Sequence, residues 1–263
     1  MNIGFIGAGN MGSALAMAAA EKKNAVIYLY DKDTSKAEAL AKKIGAILQT
    51  DAGALAEICD IIFLGVKPNI IPIAAKEIKG KIKPGAVVVS MAAGVAIEKI
   101  EAVLGKDTPI IRIMPNTPVA VGAGMILWCK NDAVADSTAD AFLDAMEAAG
   151  CFDAIDEGKI DAASALSGCG PAFVYMFIEA LADGAVQCGL TRAAAQKYAE
   201  MTVYGAAKLA LDSGKHPGEL KDAVCSPGGS TIAGVHALEE GAFRASAADA
   251  VLMAYERTLE LGK

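Results

Sequence analysis

The sequence predicts an α/β domain followed by an all-α domain. In the first part of the chain, short runs of β-branched residues alternate with alanine-rich segments of helical periodicity. Such alternation is typical of β–α–β crossovers, which build a parallel sheet covered by helices on both faces. After residue 161 the strand pattern stops, and long segments rich in Ala and Leu follow. We therefore expect one domain over residues 1–161 and a helical domain over residues 162–263.

Each predicted element follows from its own run of residues. β-branched or aromatic runs predict strands at 3–6, 26–30, 61–64, 86–89 and 109–113. The segments between them predict helices at 11–23, 34–44, 67–79 and 96–104. Two late strands, 124–129 and 150–154, bracket a helix at about 133–148 and are expected to join the same sheet. In the second part, turn residues separate predicted helices at 171–188, 191–213, 230–240 and 242–261.

Composition and charge exclude several classes of protein. With 54% hydrophobic and 21% charged residues, the 263-residue chain is typical of a packed globular protein. Its net charge of −7 does not provide the basic surface that sequence-independent binding of nucleic acids requires. The most apolar run, 171–181, is too short to span a bilayer, so no transmembrane helix is expected. The first seven residues resemble a strand rather than a signal peptide, which predicts a cytoplasmic protein without membrane partners.

The six cysteines show no pattern that indicates a disulfide framework or a metal site. There is no Cys-x-x-Cys pair in the sequence, and no histidine lies at ligand spacing from a cysteine. This usage is typical of reduced thiols in a cytosolic protein, and each cysteine is interpreted as a small buried hydrophobic residue. The six are Cys59, Cys129, Cys151, Cys169, Cys188 and Cys225.

Three glycines directly after the first predicted strand form the pattern Gly-x-Gly-x-x-Gly and open the first predicted helix. Gly7 permits a tight turn, Gly9 leaves room for phosphates close to the backbone, and Gly12 lets the helix pack against the sheet. The N-terminus of a helix favours negative charge through its free N–H groups and its dipole. The first domain is therefore predicted to be a Rossmann-type doubly wound sheet that binds a dinucleotide.

The end of the second predicted strand carries a candidate for binding the adenosine ribose. Asp31 lies 19 residues after Gly12, close to the spacing of about 20 residues at which an acidic side chain binds the ribose hydroxyls. This favours NAD over NADP, although Lys32 and Lys36 are cations that could instead accept a 2′-phosphate. In the alternative interpretation, Asp31 only caps the turn. Lys67, at the end of another strand, is interpreted either as a cofactor contact or as a solvated lysine at a helix start.

A second glycine turn, SPGGST at 226–231, precedes a predicted helix in the C-terminal half. Pro227 stiffens this turn, and the two glycines admit unusual dihedral angles. Ser230 or Thr231 could cap the helix, which would explain the segment without any ligand. The same hydroxyls and free backbone N–H groups also suit a small carboxylate, so both interpretations stay open. The two histidines, His216 and His236, lie in no catalytic motif and are expected to be structural or surface residues.

The first long helix of the C-terminal half carries more apolar surface than one neighbouring helix would cover. Four apolar residues recur at a spacing of four, and two more widen the stripe; they are Phe173, Phe177, Leu181 and Ala185, with Val174 and Ile178. We therefore expect a partner chain to cover this surface. The predicted fold is thus α/β, with an N-terminal Rossmann-type doubly wound sheet followed by an all-α dimerisation domain.

Several strings taken together resemble the pyrroline-5-carboxylate reductases, the enzymes that complete proline synthesis. They are FIGAGNMG at 5–12, VKP at 66–68, SMAAGV at 90–95, MPNTP at 114–118, ALSGCGPA at 165–172 and PGGST at 227–231. The similarity extends across almost the whole chain. In two places the chain departs from the family pattern. Asp31 and Lys32 replace small polar or basic residues that often follow the second strand, and Ala52 replaces an asparagine near the adenosine ribose.

The resemblance implies NAD(P)H-dependent reduction of 1-pyrroline-5-carboxylate to L-proline, with NADPH or NADH as the cofactor and no metal. It also implies a homodimer, which in this family often builds a ring of dimers. Together with the turns described above, it gives the cofactor-binding residues as Gly7, Ala8, Gly9, Asn10, Met11, Gly12, Asp31, Lys32, Val66, Lys67, Pro68, Ala92, Ala93, Gly94 and Asn116. The implied substrate-binding residues are Ser226, Gly229, Ser230 and Thr231, with Thr231 also the catalytic residue near the ring nitrogen.

The mechanism implied by the resemblance is hydride transfer to the imine carbon, followed by protonation of the nitrogen. The proton is expected either to arrive with the substrate or to pass through Thr231 and water. One alternative function is that of the β-hydroxyacid and 6-phosphogluconate dehydrogenases, which place a catalytic lysine on the first long interdomain helix. The corresponding segment, 170–177, contains no lysine. A second alternative is a redox sensor that binds a dinucleotide without turning it over.

Overall fold

The computed structural model describes residues 1–261 of the chain. These residues divide into two compact units. The first comprises Met1–Cys169 together with the described residues from Tyr255 onward, and the second comprises Gly170–Ala254. The sheet belongs to the first unit, and the second unit is helical. The functional boundary between residues 161 and 162 stays a prediction.

The first unit alternates strands and helices, as the sequence pattern predicts. Its strands are β1 (Asn2–Ile6), β2 (Val26–Tyr30), β3 (Ile47–Leu48), β4 (Ile61–Leu64), β5 (Val87–Ser90), β6 (Ile110–Met114), β7 (Gly124–Lys130) and β8 (Gly150–Ala154). Its helices are α1 (Asn10–Ala20), α2 (Thr34–Ile44), α3 (Ala52–Ile58), α4 (Ile71–Ile78), α5 (Ile97–Leu104), α6 (Asp136–Ala145) and α7 (Ile160–Ser167). The predicted α/β class is confirmed.

The strands form one eight-stranded sheet in the order β3-β2-β1-β4-β5-β6-β7-β8. The strand order reverses between the neighbours β1 and β4, which run parallel to each other. β7 departs from the predicted parallel sheet because it runs antiparallel to β6. The connection between these two strands, residues 115–123, contains only a short 3₁₀ turn. It therefore cannot return the chain to the starting edge of the sheet, as a helical crossover does.

Helices cover both faces of the sheet, and β4 shows why the strand runs are continuously apolar. Ile61 and Phe63 belong to one buried cluster, whereas Ile62 and Leu64 belong to the other. The Phe63 ring stacks on the ring of Phe5 in β1, with 4.5 Å between the centroids. A strand that is buried on both faces has no solvent-facing positions, so its sequence does not alternate between apolar and polar residues.

Two short elements, β3 and α3, do not stand out in the sequence pattern. β3 has only two residues, and both are exposed. α3 has seven residues, too few to establish a helical period, and its start is fixed locally instead. The Asp51 side chain accepts a hydrogen bond from the backbone N–H of Ala54 at 2.9 Å, which satisfies one free donor of the first turn.

A buried arginine joins three elements of the first unit. Arg112 of β6 is 3% exposed and forms ion pairs with Glu157 at 3.1 Å and with Asp161 at 3.2 Å. The same Glu157 oxygen accepts the backbone N–H of Ile97 at the start of α5 at 2.8 Å. These contacts fix the start of α7 and the start of α5 to the sheet. Removal of both carboxylates would leave the buried charge of Arg112 uncompensated, which is strongly destabilising.

The second unit consists of α8 (Gly170–Gln187), α9 (Arg192–Ser213), α10 (Pro217–Val224), α11 (Ser230–Glu240) and most of α12 (Phe243–Leu261). α8 packs against α9 through small buried residues, Ala182 with Ala195 and Ala199. Alanine side chains let the two helices approach closely. α10 was not expected from the sequence; it has eight residues, and its start is capped by His216, whose Nδ1 accepts the N–H of Gly218 at 3.0 Å.

Most of the apolar surface of α8 is exposed in the single chain. Tyr175 is 60% exposed and Met176 is 70% exposed, and Ala182 is the buried residue among the eighteen of this helix. The continuous helical run Glu157–Gln187 is 31 residues long, with a mean hydropathy of 1.4 in its most apolar window. It is therefore longer than the run seen in the sequence and meets the length and composition of a membrane span. Only 11% of that window is buried within the chain.

The cysteines differ in burial. Cys59 is buried, as expected for a small hydrophobic residue, and burial raises the pKa of its thiol to about 12. Burial likewise raises the pKa of the half-buried Cys129 to about 11. The expectation is wrong for Cys151 and Cys188, which are exposed. Cys151 lies on the edge strand β8, where one face of the strand is not covered, and Cys188 follows the last turn of α8.

Candidate functional site

The candidate cofactor residues follow the carboxyl ends of five neighbouring parallel strands. The turn at 7–12 follows β1, residues 31–32 follow β2, residues 66–68 follow β4, residues 92–94 follow β5, and Asn116 follows β6. Because parallel strands have their carboxyl ends at the same edge of a sheet, these segments share one edge. In open α/β sheets, ligands bind in the crevice at this edge, at the point where the strand order reverses. Here that point lies between β1 and β4.

Two glycines allow the turn after β1 to pack directly against the chain after β4. Gly7 has a φ of +108°, and a Cβ at this position would lie 2.5 Å from the carbonyl oxygen of Gly65. A Cβ at Gly12 would lie 2.4 Å from the carbonyl oxygen of Gly7. Neither backbone oxygen can move away without breaking the sheet edge or the turn. Both positions therefore require glycine, for the backbone angle at Gly7 and for the close approach at Gly12.

The turn leaves open space in front of the N-terminus of α1. Gly9 is the N-cap residue, and a Cβ placed there would meet no atom of residues 1–261 within 4 Å. The first N–H groups of an α-helix have no intrahelical partner and bind anions well. The turn is held in place by Ser13, whose Oγ donates to the carbonyl of Ala8 at 3.0 Å. The shape and the donors both fit a pyrophosphate.

Asp31 is tied to this turn by its carboxylate. One oxygen accepts the backbone N–H of Ala8 at 2.6 Å, and the other accepts the backbone N–H of Asp33 at 2.8 Å. Asp31 therefore caps the turn, as one of its two interpretations expects. A carboxylate has about four acceptor positions, so Asp31 retains the capacity to accept a ribose hydroxyl as well.

A cavity of about 310 Å³ lies against the turn, between the carboxyl ends of β1, β2 and β4 and the face of α4. Six of the candidate residues line it together: Gly7, Gly9, Asp31, Lys32, Val66 and Lys67. The sequence did not indicate the opposite wall, which α4 and the turn before it supply through Ile70, Ile73, Ala74 and Glu77. No signal in the sequence could have found this wall, because the 47% exposure of Ile73 is a property of the folded chain.

The two lysines of the loop after β2 are each paired with a carboxylate. Lys32 Nζ lies 3.6 Å from a carboxylate oxygen of Glu77, and Lys36 Nζ lies 3.1 Å from a carboxylate oxygen of Asp33. Hydrogen bonds from Ser35 and Lys36 hold the pKa of Asp33 below its usual value, so this carboxylate remains charged at neutral pH. The cations that could accept a 2′-phosphate thus have carboxylate partners in the protein.

The other candidate residues lie outside this cavity. Ala8 and Asn10 line a neighbouring groove on the side of α2, and Ala92, Ala93 and Gly94 form the turn after β5. Asn116 is 9% exposed, and its amide is engaged by the protein. Its Nδ2 donates to the carbonyl of Ser167 at 2.9 Å, and its Oδ1 accepts the N–H of Met125 at 2.9 Å. Asn116 therefore joins the end of β6 to β7 and α7.

In the second unit, the segment 226–231 forms a β-turn that leads into α11. The N–H of Gly229 donates to the carbonyl of Ser226 at 3.0 Å, with Pro227 and Gly228 in the middle and Gly228 at a φ of +69°. Pro followed by a residue of positive φ is the type II arrangement. The N-cap residue is Gly229 and not Ser230 or Thr231, so the interpretation that one of these hydroxyls caps the helix is wrong.

The hydroxyl of Ser226 faces the start of α11. A Cβ at Gly229 would lie 2.4 Å from Ser226 Oγ, so the hydroxyl lies directly over the N-cap position. Ser230 and Thr231 occupy the first two helical positions. Three hydroxyl-bearing residues and the free N–H groups of a helix N-terminus are thus close together in the chain, which suits a small carboxylate.

Comparison with known proteins covers the whole chain. Residues 157–261 match the family model described as pyrroline-5-carboxylate reductase dimerisation, and residues 2–94 match that of NADP oxidoreductase, coenzyme F420-dependent. Over 265 residues, the chain is 43% identical to the pyrroline-5-carboxylate reductase of Escherichia coli, with 99% of this chain and 98% of that protein covered. The chain belongs to the pyrroline-5-carboxylate reductase family.

Solved structures of this family share the fold. A pyrroline-5-carboxylate reductase from Coxiella burnetii aligns with a TM-score of 0.91 at 34% identity. The Plasmodium falciparum pyrroline carboxylate reductase with NADP bound aligns with a TM-score of 0.89 at 33% identity. Both alignments cover 100% of this chain and 98% of the other. The resemblance to pyrroline-5-carboxylate reductases is confirmed, as is the fold of a Rossmann-type domain followed by a helical dimerisation domain.

Proposed function

We propose that this protein reduces 1-pyrroline-5-carboxylate to L-proline with NADPH or NADH. The observation that carries the proposal is the relationship over 99% of the chain to a pyrroline-5-carboxylate reductase at 43% identity. The open glycine turn at the carboxyl edge of the sheet supports it independently, because its shape and its donors fit a dinucleotide.

The first unit holds the cofactor in this proposal. The N–H groups at the start of α1 bind the pyrophosphate in the space left open by Gly9, and Asp31 accepts a ribose hydroxyl in addition to its two backbone contacts. When bound, the nicotinamide supplies the hydride. The residues proposed to hold its end of the cofactor follow β4, β5 and β6: Val66, Lys67, Pro68, Ala92, Ala93, Gly94 and Asn116.

The turn at 226–231 binds the substrate carboxylate. The N-terminus of α11 supplies N–H donors, and the hydroxyl of Ser226 lies over the N-cap position. Because the hydroxyls of Ser230 and Thr231 are not needed as helix caps, they are available to a ligand. These contacts would orient the substrate relative to the cofactor. In intramolecular reactions, correct orientation of the reacting groups lowers the barrier by up to about 7–11 kcal/mol.

Thr231 is proposed as the group that contacts the ring nitrogen. The reaction needs one proton on that nitrogen, because the nitrogen becomes an amine as the imine carbon gains the hydride. A substrate that binds as an iminium carries this proton already, and a neutral imine receives it through the Thr231 hydroxyl and water. In both cases the hydroxyl keeps the nitrogen oriented relative to the carboxylate.

The helical region forms a homodimer in this proposal, and the dimers build a ring. Residues 157–261 match the dimerisation family model, and α8 within them exposes large apolar side chains such as Tyr175 and Met176. An exposed apolar face of this kind marks a protein–protein or membrane interaction site. Since the apolar run Glu157–Gln187 lies inside the dimerisation match, we take a second subunit rather than lipid as its cover, and we propose a cytoplasmic location.

The proposed function is tested by an assay of the purified protein with NADPH and, separately, NADH. Addition of 1-pyrroline-5-carboxylate is expected to cause oxidation of at least one of the two cofactors, whereas a β-hydroxy acid with NAD⁺ or NADP⁺ is expected to give no reduction. Cofactor that binds but stays reduced would overturn the proposal in favour of a sensor. Turnover of the hydroxy acid alone would overturn it in favour of a hydroxyacid dehydrogenase.

A further inference from the structure

Four charged side chains, two of each sign, line the cavity next to the glycine turn: Asp31, Lys32, Lys67 and Glu77. Asp31 is fixed by backbone N–H groups on both of its oxygens, so it cannot swing away from the cavity without losing two hydrogen bonds. Glu77 approaches from α4, on the opposite wall. It is the acidic residue that the mechanism above does not use.

Lys32 reaches across towards Glu77. Its Nζ lies 3.6 Å from a Glu77 carboxylate oxygen, and both side chains are partly exposed, at 66% and 37%. The other cation close to this loop, Lys36, is paired with Asp33 at 3.1 Å. A 2′-phosphate on the adenosine ribose would therefore meet the fixed carboxylate of Asp31 while the two cations of the loop after β2, Lys32 and Lys36, are paired with carboxylates.

We propose that Glu77 is a positioning residue that selects against a 2′-phosphate by holding Lys32 on the α4 side of the cavity. The inference rests on the proposed dinucleotide site. An unpaired cation at hydrogen-bond distance favours a 2′-phosphate, and a lysine ammonium on a flexible stem can move to supply one. Glu77 competes for that ammonium, and its own negative charge adds repulsion. An exposed ion pair is weak, so the effect on selectivity is modest, at about threefold.

The test compares the dissociation constants of NADP⁺ and NAD⁺ by calorimetry, which needs no turnover. Glu77→Gln is expected to improve binding of NADP⁺ relative to NAD⁺ by about threefold compared with the unchanged protein. Glu57→Gln is the matched control, because Glu57 is an exposed residue of α3 that does not line the cavity and its loss changes the net charge by the same amount. This control is expected to leave the ratio of the NADP⁺ and NAD⁺ dissociation constants unchanged.

A second pair of variants tests whether Glu77 acts through Lys32. In the Lys32→Gln background, Glu77→Gln is expected to change the ratio of the NADP⁺ and NAD⁺ dissociation constants by less than about 1.5-fold, because no ammonium remains to be released. Two results would overturn the inference. One is the same threefold gain in relative NADP⁺ binding when Lys32 is absent, and the other is an equal ratio of dissociation constants in the Glu77→Gln and Glu57→Gln variants. If neither dinucleotide binds the unchanged protein, the proposed site itself fails, and the inference fails with it.

Discussion

The Asp31 carboxylate accepts the backbone N–H of Ala8 at 2.6 Å, and this contact ties the end of β2 to the glycine turn after β1. Its second oxygen accepts the N–H of Asp33 at 2.8 Å. One side chain thus sets the position of the turn and also places a negative charge next to the proposed ribose site. The two roles separate experimentally, because the first acts on stability and the second on the choice of cofactor.

Asp31→Ser is expected to raise kcat/KM for NADPH relative to NADH by about tenfold, the equivalent of about 1.4 kcal/mol of charge repulsion removed. It is also expected to lower the free energy of unfolding by about 1–3 kcal/mol, because two backbone donors lose a charged acceptor. Asp31→Asn is the matched control, since it removes the charge but keeps a carbonyl acceptor. Steady-state kinetics and urea unfolding measure the two effects. An unchanged cofactor ratio in both variants would show that Asp31 does not face the ribose.

The two outer glycines of the turn differ from Gly9 in what a methyl group would meet. Gly12→Ala is expected to lower the free energy of unfolding by about 1–3 kcal/mol, because its Cβ would lie 2.4 Å from the Gly7 carbonyl oxygen. Gly9→Ala is expected to change stability by less than about 1 kcal/mol but to weaken binding of NADP⁺ by about tenfold or more, since the methyl occupies the pyrophosphate space. Thermal unfolding and calorimetric titration separate the two. Equal affinities for Gly9→Ala and the unchanged protein would contradict a pyrophosphate at this position.

Thr231→Ala is expected to reduce kcat/KM for 1-pyrroline-5-carboxylate by about 10²-fold, as loss of one preorganised donor does in other enzymes. Thr231→Ser keeps the hydroxyl and is expected to retain most of the activity. Both variants are compared at saturating cofactor, so that a change in cofactor binding does not enter the result. Full activity of Thr231→Ala would remove the role assigned to this residue.

Met176→Asp is expected to dissociate the assembly, because it places a charge on the exposed apolar face of α8. The mass from light scattering is expected to fall from that of the proposed ring of dimers towards 26.8 kDa, the mass of one chain. Val121→Asp serves as the control, since Val121 is 81% exposed but lies outside the residues that match the dimerisation family. An unchanged mass for Met176→Asp would show that this face of α8 is not the subunit interface.

Burial raises the pKa of Cys59 from 9.0 to about 12, so the folded protein keeps this thiol protonated where the unfolded chain ionises it. This thiol therefore leaves the free energy of unfolding unchanged below about pH 9. As the pH rises from 9 towards 12, the free energy of unfolding falls, because the unfolded chain loses a proton that the folded protein keeps. At pH 8, iodoacetamide is therefore expected to label the exposed Cys151 within the native protein and Cys59 only after urea is added. Peptide mass spectrometry reads out both sites. Rapid native labelling of Cys59 would contradict its burial.

Local signals in the sequence were sufficient to predict much of the first unit. The β1 turn is identifiable because Gly7, Gly9 and Gly12 each follow a local rule of backbone geometry, and Asp31 follows at a fixed offset. The direction of β7, in contrast, could not be predicted from local signals. It depends on how residues 115–123 fold back, and the apolar pattern of a strand is the same in either direction.

The far wall of the cavity also could not be predicted. Ile73 and Glu77 belong to α4, and only the packing of that helix beside β4 brings them opposite Asp31. Their spacing in the sequence carries no sign of this, because an exposed isoleucine and a glutamate four residues apart are ordinary on a surface helix. The same reason applies to Asn116, whose amide contacts with Ser167 and Met125 join segments that are distant in the chain.

The most direct test of the central claim follows the hydride itself. Pure protein is incubated with 1-pyrroline-5-carboxylate and NADPH or NADH that carries deuterium at both hydrogen positions of nicotinamide C4, and the product is examined by mass spectrometry. The account predicts L-proline that carries deuterium on the former imine carbon. Formation of no deuterated proline while both ligands are shown to bind, or deuterium in any other product, would contradict it.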